Sequence, residues 1–173
     1  MILGLSTANF TLLHVVISLV AIASGLVVLV GMLGSRRMPG WTALFLITTI
    51  LTSLGGFLFP IHGFTPALGT GGVSLVVLAA ALVALYGKHL AGRWRWIYVV
   101  TALAALYLNV LVLIVQSFEK LTVLNPVAPA VGPPFAEPVN THFVVAQTLV
   151  LALFVAAGIA ALLRFRPAPA PSF

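Results

Sequence analysis

Hydrophobic residues in this chain fall into five long, almost uncharged runs, separated by short polar breaks rather than alternating with polar positions. Crossing a hydrocarbon core about 30 Å thick takes a helix of about 20 apolar residues, and each run approaches or exceeds that length. The pattern predicts spans at about 11–33, 41–60, 66–86, 96–118 and 141–163. The first stops at the turn GSRR, and the second and third are joined through PIHGFTPALGTGG, whose Pro and Gly content marks a tight connection. The one long connection, 119–140, carries Pro126, Pro129, Pro133, Pro134 and Pro138, which argue against regular structure across most of it. Its apolar residues, among them Leu121, Val127 and Phe135, suggest a segment folded over the ends of the helices as a cap. The expected fold is all-α: a single transmembrane bundle of five helices over residues 1–164, followed by a flexible, Pro-alternating tail at 165–173.

The basic residues orient this bundle. Arg36 and Arg37, then Lys88, Arg93 and Arg95, then Arg164 and Arg166 occupy alternate breaks, and only Lys120 falls on the other side. By the positive-inside rule the N-terminus lies outside and the C-terminus inside, with the three clusters facing cytoplasmic lipid. Trp41, Tyr86, Trp94, Trp96 and Tyr98 fall near the same boundary, as an interfacial aromatic belt would. The start, MILGLSTANF, has no basic n-region, so the first span reads as a retained helix.

Composition narrows the class further. Hydrophobic residues make up 62% of the chain and charged residues 6%, against roughly a quarter charged in soluble domains. The net charge of +6 sits in juxtamembrane clusters, which excludes the continuous basic patch of a nucleic-acid-binding protein. With no cysteine there are no disulfides, thiolate metal sites, iron–sulfur clusters or covalent c-type haem. The only carboxylates, Glu119 and Glu137, lie in the long connection, and the absence of Asp rules out a Ser-His-Asp set. GTGG at 69–72 has no following Lys and opens a span, so it is no phosphate loop.

Small and hydroxyl residues mark the packing faces. His14, Ser18, Ala21 and Gly25 share one face of the first helix, and Thr48, Thr52, Gly55 and Gly56 form a stripe on the second, flanked by Thr49 and Ser53. The fifth helix is rich in small residues at Ala156, Ala157, Gly158, Ala160 and Ala161. Such faces serve close packing within one bundle, or self-association through the fifth helix. On the fourth helix Asn109 and Gln116 are seven residues apart and should face the interior, as interhelical hydrogen-bond glue or as the lining of a polar site.

Chemistry, if there is any, gathers on the outer side. His14, His62 and His142 fall at that level, with Gln116 and Gln147 at comparable depth, while His89 sits among the inner basic residues. As a trio the histidines would suit a divalent metal, and His14 with His62 would suit axial ligation of b-type haem. A histidine and an amide would also hold a quinone headgroup. Against these stands the plain reading, in which each histidine is an interfacial residue reaching for water.

The stretches TSLGGFLFPIHGFTPALG (52–69) and RWIYVVTALAALYLNVLVLIVQSFEK (95–120) resemble small polytopic inner-membrane proteins of proteobacteria to which no activity is attached. The resemblance implies a multi-pass inner-membrane protein and brings no functional residues with it. The functions that follow are an accessory or scaffold subunit without catalysis, a ligand-binding or redox protein with a periplasmic-side site, or a transporter of a small neutral solute.

Overall fold

The structure, a computed structural model, describes residues 1–60, 66–121 and 141–166. It is all-helical: α1 (Thr7–Leu33), α2 (Pro39–Gly56), α3 (Pro66–Leu82, continued by a π-helical turn at Val83–Gly87), α4 (Trp94–Lys120) and α5 (Thr141–Arg164). Four of these, α1, α3 with its π turn, α4 and α5, are long and apolar enough to cross a membrane. The chain is therefore a multi-pass integral membrane protein. α2 is the shortfall: its 18 residues span about 27 Å at 1.5 Å per residue, and its apolar run is diluted by Thr42, Thr48, Thr49, Thr52 and Ser53.

Helix ends differ from the sequence boundaries for local reasons. α1 begins at Thr7, not residue 11, because the Ser6 hydroxyl caps it by accepting from the Asn9 amide at 3.2 Å. α2 ends at Gly56, four residues before Pro60, because paired glycines pay the full entropic cost of helix without side-chain packing. At the far end of α1, Ser35 takes the left-handed conformation (φ 55°), and the Arg36 amide reaches back to the Gly31 carbonyl at 2.8 Å. A similar reversal at His89, Leu90 and Gly92 turns the chain into α4 and drives Leu90 into the core.

α4 is the hub and touches each of the other four helices, whereas α5 touches only α1 and α4 among the described residues. Close approach depends on missing side chains. A Cβ on Gly25 would lie 2.5 Å from Leu106 Cδ1 and 2.9 Å from the Phe45 ring, so this glycine lets α1, α2 and α4 meet. The apolar core around it holds Val28, Met32, Phe45, Leu46, Leu78, Ala81, Ala102, Leu106 and Ala161. These residues all belong to the half of the bundle nearer the basic clusters. Outward, α1 and α5 present Leu12, Val30, Leu149, Leu153 and Leu163, a surface suited to lipid rather than water.

The basic clusters share one end. The Arg95 guanidinium donates to the Phe165 carbonyl, and the Arg166 amide donates to the Ser35 hydroxyl at 2.8 Å. These bonds bring the α1–α2 turn, the start of α4 and the end of α5 together. They also correct two expectations. Residues 165 and 166 are docked, not part of a free tail: Phe165 is 3% exposed and packs on Tyr98. Tyr98 itself, 2% exposed, belongs to the core and not to an interfacial belt, whereas Trp41, Tyr86 and Trp96 are exposed as a belt requires. The expected cap at 122–140 and the tail from 167 lie outside the described residues.

Candidate functional site

Contacts between helices fix their registers, and the registers place the candidate residues. α1 and α2 run antiparallel: Ser18 Oγ lies 3.4 Å from Thr52 Oγ1, and a Cβ on Gly55 would meet His14 Nδ1 at 2.9 Å. The His14 imidazole thus lies in the notch Gly55 leaves, edge-on to Phe59 with centroids 5.4 Å apart. Phe59 also packs against Phe10 at 5.0 Å. α2 and α3 are joined by Ser53 Oγ donating to Ser74 Oγ at 2.9 Å. α4 runs parallel to α2, and Asn109 Nδ2 donates to Thr49 Oγ1 at 3.2 Å.

The same register carries Gln116 to the far end. Seven residues make nearly two turns, so Gln116 shares a face with Asn109 and sits about 10 Å further along the axis, toward α1 and α2 at the level of His14 and Gly55. One turn beyond it Lys120 ends α4. On the opposite side of α4, α5 is registered by Gln147 Nε2 donating to the Leu111 carbonyl at 3.2 Å, and by Phe118 against Phe143 at 5.7 Å.

The polar groups here are committed either to neighbouring helices or, as with Thr11, Thr48 and Ser117, to carbonyls one turn back in their own helix. Each such bond removes a donor and an acceptor from a medium where unpaired ones are costly. Among the described residues two amide oxygens are exceptions: Gln116 Oε1 and Gln147 Oε1 are buried and accept no hydrogen bond. Neither amide orphan was legible beforehand, since orientation within a helix face decides it.

The six sequence candidates are thus distributed unevenly. Asn109 and Gln147 hold helices together, while Gln116 and His14 fall at one level on facing elements. His142 opens α5 at the same end, exposed. His62, and with it the expected His14, His62 and His142 metal trio, lies outside the described residues. Among the described residues no three His, Cys, Asp or Glu side chains are grouped to hold a metal ion. His89 sits exposed at the basic end, away from the others.

No protein-family model matches this chain, and neither the curated proteins nor the solved structures searched contain a match.

Proposed function

We propose that the chain is a small bacterial inner-membrane protein, N-terminus outside and C-terminus inside, that serves as an accessory or scaffold subunit of a larger membrane complex. The observation that carries this reading is the use of polar side chains. Ser18, Thr52, Ser53, Ser74, Thr49, Asn109 and the Gln147 amide group are engaged in joining helices. A polar path for a solute would need them turned toward a lumen, and the basic-end half is filled by apolar side chains instead.

Five crossings fit the same picture. α2 packs on α1, α3 and α4 with Thr42, Thr48, Thr49 and Ser53 buried, so these hydroxyls do not face lipid. Gathering the basic clusters at one end supports placing that end in the cytoplasm. The resemblance to proteobacterial inner-membrane proteins points to the same membrane.

The buried oxygen of Gln116 favours a second reading, a small ligand held near the outer face by Gln116 and His14. A hydroxyl donor such as a quinol headgroup would satisfy the orphan acceptor. Purification followed by an absorption spectrum, metal analysis and identification of co-purifying proteins separates the two. The subunit reading predicts a colourless, metal-free preparation with a stable membrane partner. A chromophore or metal lost in His14→Ala would overturn it in favour of the site. Topology is tested separately: a cysteine replacing Gly63 should react with impermeant thiol reagents from outside only.

A further inference from the structure

Between α4 and α5 runs an open groove of about 260 Å³ on the outside of the bundle, walled almost wholly by apolar atoms. Val99, Leu103 and Tyr107 form one wall and Leu151, Gly158 and Leu162 the other. Gly158 keeps it shallow-floored: its missing side chain exposes Leu103, whose Cδ1 would lie 3.6 Å from a Cβ there. The groove belongs to the basic-end half. Val99 to Tyr107 covers about 12 Å and Leu151 to Leu162 about 16 Å along their axes. Those lengths match one leaflet of a hydrocarbon core about 30 Å thick.

The end of the groove is as informative as its length. Trp96 stands three residues before Val99, on the same face of α4, and is 56% exposed. The Arg95 guanidinium lies over the Trp96 ring at 5.9 Å. Across the groove, exposed Arg166 follows Leu162 by four residues on the same side of α5, whereas Arg164 is turned about 200° away from Leu162. An apolar channel one leaflet deep therefore opens onto a rim of tryptophan and arginines.

We propose that this groove is a binding site for one anionic phospholipid, its acyl chain between α4 and α5 and its phosphate at Arg95 and Arg166. Charge complementarity selects the occupant: a neutral lipid would leave the arginine rim without a partner. A transmembrane helix from a second copy would run the whole thickness of the membrane, while the groove stops at mid-depth. The site is separate from the amides and histidine at the opposite end, and it does not depend on which face of the membrane the basic end occupies.

The test is native mass spectrometry of the full chain in detergent, titrated with phosphatidylglycerol or with phosphatidylcholine. The expected result is a single tightly held phosphatidylglycerol, preferred over phosphatidylcholine by about tenfold or more, as two lipid-facing arginines would give. Replacing the exposed rim arginine, Arg166→Gln, should lower the phosphatidylglycerol preference about fivefold. The charge-matched Arg164→Gln, on the side of α5 away from the groove, should keep the preference. Ile159→Trp, placed on an exposed groove residue, should weaken both lipids. Equal binding of the two lipids by the native chain would overturn the proposal. So would equal loss of preference in Arg164→Gln, or unchanged lipid binding in Ile159→Trp.

Discussion

In the half of the bundle nearer the basic clusters, helices meet through Phe45, Leu46, Met32, Leu106 and small residues such as Ala21 and Gly25. In the opposite half the same helices meet largely through hydroxyls and amides: Ser18 with Thr52, Ser53 with Ser74, Asn109 with Thr49, and Gln147 with the Leu111 carbonyl. Both halves sit in an equally apolar chain, so hydrophobicity does not explain the difference. Lipid tails are as apolar as leucine, which leaves shape and hydrogen bonding to hold helices together. The first half uses shape, where each missing methyl lets a neighbour in. The second uses hydrogen bonds, and it is there that unspent polar groups are left over.

This contrast can be broken most severely at Gly25. Gly25→Leu should cost about 3 kcal/mol or more, because the new side chain meets Leu106 and the Phe45 ring and neither helix has room to move away. Reversible unfolding in mixed micelles, titrated with a denaturing detergent, reads that loss. Phe165→Ala comes next, at about 2–3 kcal/mol, since it empties the seat that fixes the end of α5 against Tyr98. Faster hydrogen exchange confined to the last turns of α5 would locate the effect, and uniform exchange would refute the seat.

Substitutions in the polar half should be milder. Asn109→Leu should destabilise by about 1 kcal/mol, the worth of one interhelical bond in lipid. Gln116→Leu sharpens the comparison because it should leave stability unchanged or raise it slightly. Its oxygen is already unpaired, so removing the amide relieves a cost of about 1 kcal/mol. A clear destabilisation in that variant would mean that Gln116 is structural, which would remove the main support for an outer-face ligand.

The large features were readable from residue order because each follows from a local pattern. Uninterrupted apolar runs mark the helices, and the Arg and Lys clusters mark breaks that the structure brings to one end. The small-residue stripe of α1 points inward, with Ala21 and Gly25 buried where α1 crosses α2 and α4, whereas of the small residues on α5 only Ala161 is buried. What escaped the reading depends on more than one element. Phe165 sits between two arginines before a Pro-rich stretch, and only the approach of α4 shows that it is anchored. Tyr98 shares its sequence neighbourhood with exposed Trp96, yet two residues are a 200° rotation on a helix, which turns it to the core.

The candidate site was half legible. That Asn109 and Gln116 share an inward face follows from a seven-residue spacing, but that one meets Thr49 while the oxygen of the other meets no donor among the described residues is set by the neighbouring helices. His14 was assigned to the right end, yet the notch at Gly55 that receives its ring belongs to another helix. His62 falls outside the described residues, so its relation to His14 rests on experiment.

The central claim is that buried polar side chains hold this bundle together, and a double-mutant cycle on Asn109→Leu and Thr49→Val tests it directly. Unfolding free energies of the two single variants and the double variant should yield a favourable coupling of about 0.6–1.5 kcal/mol. Strictly additive effects, with no coupling between α2 and α4 at this pair, would contradict it.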